Sequence, residues 1–178
     1  MQDDDSAVLA SDMSSTMRTE CPPSSRALPD QLVPEAASRQ IAPMNSNCFV
    51  CGRRNPTGLH LMFEGGSQGV EATWIPNDAS ESFQDTVHGG LITSVLDEAM
   101  SKAIMANGWQ AFTVCISARF HSRISPGDHL RAQGWIVERR KRRILTEASL
   151  ITDSGIERAH AWATFLMPGG SQVRKANA

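Results

Sequence analysis

The sequence has no large excess of charge and no long apolar run. Its 178 residues carry a formal net charge of −2, and charged residues make up 20% of the chain. A balance this even does not indicate a nucleic-acid or anionic-membrane partner. No apolar run approaches the roughly 20 residues that a transmembrane helix needs. We therefore expect neither nucleic-acid binding nor membrane insertion.

Export signals are also lacking. Residues 1–5 contain three aspartates, and neither a basic nor an apolar segment of a secretory signal follows. Early acidic residues also disfavour a mitochondrial transit peptide. Four cysteines in a chain of this length are too few for a disulfide framework. These observations predict a cytoplasmic protein.

Composition divides the chain into one domain and two tails. Residues 1–44 are rich in Ser, Pro, Asp and Ala and show no apolar period, which predicts a disordered tail. Hydrophobic residues make up 40% of the chain, enough for a core within one domain over 45–170. Residues 171–178 are expected to form a short C-terminal tail.

The domain begins with a Cys-x-x-Cys pair, Cys48 and Cys51. A structural zinc site usually has four ligands, and no second Cys-x-x-Cys or His pair lies at zinc-ribbon spacing. Dithiol redox chemistry is a further alternative. We expect a turn-rich lead-in with two thiols, and no metal or cofactor.

A buried helix is predicted directly after His88-Gly89-Gly90. Apolar residues recur at helical spacing through Ile92, Leu96 and Ala99. The glycines allow close approach to the helix start. Its unpaired amides and positive dipole end favour an oxygen that gains negative charge.

Two adjacent carboxylates interrupt this helix. Glu98 pairs with Lys102 at i,i+4 and is expected on a solvated face. Asp97 lies on the shoulder of the apolar stripe, where a carboxylate is costly unless it has a partner or a function. It follows Gly89 by eight residues, or about 12 Å of helix. If both serve one reaction, the carboxylate must come from a second copy, which predicts a homodimer with interfacial sites.

The remaining pattern is strand-like and predicts an α+β fold of order β-β-α-β-β-β-β. A hairpin is expected over 59–74, then a polar loop over 79–86. Later strands are expected over 112–120, 130–138, 143–151 and 156–167. In the first of these, Phe112, Val114 and Phe120 should face one way and Thr113 the other. No βαβ alternation occurs, so the sheet should be antiparallel around one long helix.

The motif His88-Gly89-Gly90, with Asp97 on one helix before a run of strands, resembles the hotdog-fold acyl-CoA thioesterase superfamily. The most similar branch is that of the phenylacetate-pathway and 4-hydroxybenzoyl-CoA thioesterases. The resemblance covers about 47–167, including Cys48-x-x-Cys51 and the Gly and Asn-Pro positions after it. It implies a sheet wrapped around the helix and assembly as a dimer or a dimer of dimers.

The resemblance also implies roles for residues at the helix. Gly89 would donate its amide to the thioester oxygen, and His88 would shape that pocket. Asp97 would attack the carbonyl or activate a water as general base. Thr113 matches a hydroxyl that would help to place the water; the alternative is an ordinary polar residue of the strand.

Further residues are assigned to substrate binding. By the resemblance, Gly90 would lie beside the thioester pocket. Relatives often carry Asn or Gln six residues before the histidine, where this chain has Ser82, with Gln84 nearby.

A basic run, Arg139-Arg140-Lys141-Arg142-Arg143, is predicted at a hairpin tip. Such a run is commonly a solvated turn. The resemblance offers a second interpretation, in which Arg139, Arg140, Arg142 and Arg143 hold the phosphates of CoA.

The leading functional hypothesis is hydrolysis of an acyl-CoA thioester to CoASH and a carboxylic acid, CoA being part of the substrate. One alternative is a non-catalytic hotdog that binds acyl-CoA as a sensor or scaffold. Another is a hotdog hydratase or dehydratase. The acyl group is left open, because a pocket lined by methionines adapts its shape.

Overall fold

The computed structural model describes residues 39–169, in which one sheet surrounds one helix. The strands and the helix are, in chain order, β1 Arg39–Ile41, β2 Phe63–Gly66, β3 Gly69–Trp74, β4 Glu81–Phe83, β5 Thr86–Val87, α1 Gly89–Ala106, β6 Phe112–Phe120, β7 Leu130–Arg140, β8 Arg143–Thr152 and β9 Glu157–Leu166. Seven strands form an antiparallel sheet in the order β1-β2-β3-β7-β8-β9-β6. The predicted α+β class and antiparallel sheet are confirmed.

Helix α1 forms the centre of the core. Val95, Leu96, Ala99 and Met100 have no exposed surface, because the apolar stripe faces the inner side of the sheet. A Cβ at Gly134 on β7 would lie 2.3 Å from the carbonyl oxygen of Ala99. Glycine at this position therefore lets the helix backbone approach the sheet closely.

The predicted first hairpin is present, but its first strand is shorter than expected. β2 begins at Phe63, not at Leu59. His60 has φ 55°, in the left-handed region, which is incompatible with an extended strand. Leu61 and Phe63 are nevertheless buried, at alternating positions of the expected strand.

Two short elements were missed. The expected tail over 1–44 includes β1, which pairs with β2; residues 1–38 lie outside the described part, as does the expected tail over 171–178. The expected polar loop over 79–86 contains the β4–β5 ladder, which is a separate two-stranded sheet. Both elements are too short to show a sequence period.

The strands after the helix fall where the alternation predicted them. The basic run lies at the β7–β8 turn, and Gly155 provides the positive φ of the β8–β9 turn. Strand β6 pairs with β9 along one side, and within the described residues no strand pairs with its other side. No described helix combines the length and the apolar character required to cross a bilayer.

Candidate active site

The start of α1 is capped by His88. Its backbone is extended, and its Nδ1 accepts a hydrogen bond of 2.9 Å from the amide of Gly90. A Cβ at Gly90 would lie 2.9 Å from that nitrogen, so glycine is needed for the cap. The amide of Gly90 is thus occupied by His88 and is not available to a ligand in this arrangement.

Gly89 provides the available donor at this helix end. Its amide donates to no acceptor among residues 39–169, as is usual for the first turn of a helix. The ring of Phe120 lies beside it, with Cζ 3.5 Å from where a Cβ on Gly89 would stand. Gly89 therefore lies next to an aromatic ring at the end of β6.

Asp97 lies in the middle of α1 and has a polar partner. The hydroxyl of Thr113 donates a 2.7 Å hydrogen bond to its Oδ1. Burial raises the pKa of Asp97, the hydrogen bond from Thr113 lowers it, and the neighbouring charge of Glu98 raises it, with a net upward shift. A partly desolvated carboxylate of raised pKa is a better proton acceptor than a solvated one.

A β-bulge in β6 brings Thr113 to this carboxylate. The register with β9 shifts between Thr113 and Cys115, and Thr113 pairs with the core residue Phe165. Thr113 therefore faces α1, and the predicted single alternation from Phe112 to Phe120 is wrong at its first residues. The extra residue at Val114 changes the phase of the strand, as bulges do.

Ser82 and Gln84 lie on the exposed β4–β5 hairpin. The hydroxyl of Ser82 lies 3.5 Å from the carbonyl oxygen of Thr86, within its own hairpin. The structure ties this hairpin to the helix start by its backbone, through a 2.8 Å hydrogen bond from the amide of His88 to the carbonyl of Ser80. No hydrogen bond among the described residues joins the side chain of Ser82 or Gln84 to Gly89.

The basic run lies at the opposite end of α1. The guanidinium of Arg139 stacks 4.4 Å from the ring of Trp109, which follows the helix C-terminus. Arg140 pairs with Glu138 at 2.6 Å. In one chain this turn is about 25 Å from the start of the helix, at 1.5 Å per residue.

The two other arginines of the run differ in their contacts. Arg142 donates from Nε to the carbonyl of Met167 at 2.8 Å, which anchors the turn to the end of β9. Arg143 is exposed. The exposed guanidinium of Arg143 and the stacked guanidinium of Arg139 are more available to an anion than the anchored guanidinium of Arg142.

Comparison with known proteins shows what this fold is similar to. A model described as the thioesterase superfamily matches residues 84–159, which include α1 and the strands as far as β9. The chain has the hotdog fold, and the matched residues are similar to the thioesterase superfamily. The resemblance seen in the sequence is thereby confirmed. No curated protein sequence matches the chain significantly.

Three solved structures illustrate the likeness. A Streptococcus mutans protein bound to acetyl-CoA is 22% identical, with a TM-score of 0.56 over 58% of this chain and 84% of its own. The E. coli PaaI protein from the phenylacetic acid degradation operon is 17% identical, with a TM-score of 0.59 over 64% and 83%. A hypothetical thioesterase from Streptococcus pneumoniae, solved with coenzyme A, is 18% identical, with a TM-score of 0.55 over 57% and 82%.

The S. pneumoniae protein has also been solved as two alanine variants. One replaces an aspartate and the other a threonine that follows it by sixteen residues. At these levels of identity the likeness shows the hotdog fold, while the roles of individual side chains have to be argued from this chain's geometry.

The sequence analysis missed a cluster of polar side chains between α1 and the lead-in. The expected solvated position of Glu98 is wrong, because the lead-in before β2 covers that side of α1. Glu98 Oε2 lies 3.6 Å from Cys48 Sγ, and its Oε1 lies 3.6 Å from Lys102 Nζ. Lys102 is 1% exposed and donates to the carbonyl of Ala42 at 3.0 Å. The i,i+4 spacing of Glu98 and Lys102 was the available signal, and it did not reveal burial.

Cys51 completes this group. Its thiol is buried, and desolvation raises its pKa far above the ordinary range, with a hydrogen bond to Glu98 and the charge of that carboxylate acting in the same direction. A thiol that stays protonated is a poor nucleophile. Cys51 therefore lacks the lowered pKa that activates a thiol in a dithiol redox centre.

Proposed function

We propose that this protein is an acyl-CoA thioesterase, which hydrolyses a thioester to CoASH and a carboxylic acid. The observation that carries the proposal is the hydrogen bond between Thr113 and Asp97, on the inner face of the sheet beside the open side of β6. A partly buried carboxylate with one polar partner is well suited to act on a water molecule or a carbonyl.

The open side of β6 supports a dimer. Its exposed apolar residues include Phe112 and Phe120, which are 62% and 52% exposed. A long edge strand with apolar side chains is a ready site for pairing with another strand. We infer that β6 pairs with β6 of a second copy, and that the sheet continues across the interface.

Antiparallel pairing would join the two halves of a site. Thr113 contacts Asp97 near one end of β6, and Phe120 lies beside Gly89 near the other. A two-fold axis between Ile116 and Ser117 would place the first end of one strand opposite the second end of its partner. The Gly89 amide of one protomer would then approach the Asp97 carboxylate of the other, which a single chain cannot achieve.

The chemistry follows from these groups. The thioester oxygen would accept a hydrogen bond from the amide of Gly89. This hydrogen bond stabilises the oxyanion that forms when the carbonyl is attacked. With Asp97 as general base, water loses a proton to the carboxylate and adds to the carbonyl carbon. The tetrahedral intermediate then breaks its C–S bond, and CoA leaves as a thiolate that takes the proton held by Asp97. Direct attack by Asp97 would instead form a mixed anhydride, which water then hydrolyses.

Two comparisons support the proposed substrate and the proposed catalytic residues. The S. mutans and S. pneumoniae relatives were solved with acetyl-CoA and CoA. The aspartate and threonine replaced in the S. pneumoniae protein have the same separation as Asp97 and Thr113, which are sixteen residues apart. In our proposal the exposed Arg143 and the stacked Arg139 are the residues of the basic turn that would contact CoA phosphates.

The test is hydrolysis of a panel of aromatic and aliphatic acyl-CoA thioesters, followed by thioester absorbance because a thiol reagent would react with the protein. Replacing Asp97→Asn should lower kcat by about a hundredfold or more, the usual effect of losing a general base. Asp153→Asn, in the exposed β8–β9 turn, is the matched control and should retain activity.

Circular dichroism and light scattering must show that both variants keep the fold and oligomeric state of the wild type. Tight acyl-CoA binding without turnover by the wild type would contradict the enzyme and favour a sensor. Hydration of an enoyl-CoA with the thioester left intact would favour a hydratase.

A further inference from the structure

The strongest unassigned feature is a group of three potential ligands away from Thr113. We call Cys48, Cys51 and Glu98 the thiol–carboxylate cluster. Their two sulfur atoms and a carboxylate oxygen all lie within 4.8 Å of one another. The first two residues come from the lead-in, and the third comes from α1, fifty residues after Cys48.

We propose that the thiol–carboxylate cluster binds one zinc ion. This departs from the expectation of no metal, which rested on the lack of a second Cys or His pair. The third ligand belongs to α1 and comes together with the cysteines only through folding. Three protein ligands leave a fourth position, which water can occupy.

The donor set and its spacing suit zinc. Two thiolates and one carboxylate are ligands of the borderline-soft kind that Zn²⁺ accepts in tetrahedral geometry. With Zn–S near 2.3 Å and Zn–O near 2.0 Å, a tetrahedral site separates sulfur from oxygen by about 3.5 Å. The observed Cys48 Sγ to Glu98 Oε2 distance is 3.6 Å. The sulfur of Cys48 and the carboxylate oxygen of Glu98 are thus separated by the distance expected between two ligands of a tetrahedral zinc ion.

The lead-in holds its two cysteines in a tight turn. The amide of Gly52 donates to the carbonyl of Cys48 at 2.9 Å, and a Cβ on Gly52 would lie 2.4 Å from the amide nitrogen of Cys48. Only glycine fits this close approach of backbone to backbone. The turn directs both sulfurs toward the same side, as a bidentate thiolate clamp requires.

Lys102 supplies the outer support that metal ligands commonly have. Its ammonium lies 3.6 Å from Oε1 of Glu98, which leaves Oε2 facing Cys48. The carbonyls of Ile41 and Ala42 hold the ammonium in place. With two thiolates, one carboxylate, one ammonium and one divalent ion, the buried group has no net charge, which limits the cost of its desolvation.

A zinc ion at this position would join two parts of the hotdog domain. The lead-in would be fixed to α1 at the residue next to Asp97. Binding free energy that requires the folded arrangement adds to stability. Zinc is therefore expected to stabilise the domain, whatever reaction the domain catalyses.

The experiment uses the full chain, purified with its thiols reduced and its metal removed by a chelator. Titration with Co²⁺ should produce thiolate-to-cobalt charge-transfer absorption that saturates at one ion per chain. The double variant Cys48→Ser/Cys51→Ser should lose this absorption, and Glu98→Gln should bind at least about tenfold more weakly. Glu64→Gln, an exposed glutamate on β2, is the matched control and should bind like the wild type.

X-ray absorption at the zinc edge of the wild type gives a result that does not depend on whether the variants fold. We expect two sulfur neighbours at about 2.3 Å and lighter atoms at about 2.0 Å. Thermal unfolding should also move to higher temperature when Zn²⁺ is added. The proposal is overturned if reduced wild type binds no metal stoichiometrically, if the bound zinc has no sulfur neighbours, or if the cysteine variants bind unchanged.

Discussion

The side chain of Thr113 points in a different direction in the structure from the one that the strand pattern predicts. On a regular strand it would face away from the helix, yet the bulge at Val114 turns its hydroxyl to Asp97 at 2.7 Å. A neutral hydroxyl that donates to a carboxylate stabilises the charged form and fixes its orientation. In the proposed reaction Thr113 is thus a positioning residue.

Replacing Thr113→Val keeps the shape of the side chain and removes the donor. We expect kcat/KM to fall about tenfold, equivalent to about 1.4 kcal/mol of transition-state stabilisation, with little change in fold. Thr113→Ser should restore most of the activity because it restores the donor. Equal losses in the Val and Ser variants would show that the hydroxyl alone does not account for the role of Thr113.

His88 has a structural role that can be separated from any role in catalysis. As the cap of α1, its Nδ1 accepts a hydrogen bond from the amide of Gly90. His88→Ala should lower the free energy of unfolding by about 1 kcal/mol, the usual cost of losing a cap. Urea denaturation measures this, and His88→Asn should be close to the wild type because its side chain can also accept the amide. If Ala and Asn destabilise equally, capping is not what His88 contributes.

Among the elements, the contact of α1 with β7 is the most constrained. The helix backbone at Ala99 leaves no space for a Cβ at Gly134. Helix and sheet must therefore separate when any side chain is added there.

Gly134→Ala should destabilise the domain by about 1–3 kcal/mol or more, the range for overpacking a core. Gly66→Ala on β2 is the matched control, because a Cβ there meets nothing within 4 Å. The two midpoints of thermal unfolding, compared at equal protein concentration, test the prediction. An unchanged midpoint for the Gly134 variant would mean that α1 does not lie so close to β7.

At the scale of the whole molecule, the open side of β6 is decisive for the proposed site. Val114 lies on this strand at the bulge and is 36% exposed. A charge on an edge strand opposes pairing with a second copy.

Val114→Asp should therefore shift the protein toward monomer and lower its thioesterase activity together with its dimer fraction. Ile156→Asp is the control, since Ile156 is 59% exposed and lies beside the β8–β9 turn. Sedimentation velocity and turnover at several protein concentrations test the link. Full activity in a monomeric Val114→Asp variant would rule out the shared site.

The sequence predicted what depends on neighbouring residues. The apolar period of α1 and the strand-like patterns of β7, β8 and β9 express local backbone geometry, and the structure bears them out. The motif from His88 to Gly90 with Asp97 carried the resemblance to the hotdog thioesterases, and its residues are close together in the sequence.

Tertiary structure decided what depends on residues distant in sequence. The bulge that turns Thr113 inward arises where β6 pairs with β9, and β1 is a strand only because β2 lies beside it. Glu98 appeared solvated on the helix alone and is covered by a lead-in fifty residues earlier. Helix and strand patterns repeat every few residues, so the sequence alone reveals them. The register between strands, the burial of a helix face and the contacts between distant side chains depend on how the whole core packs.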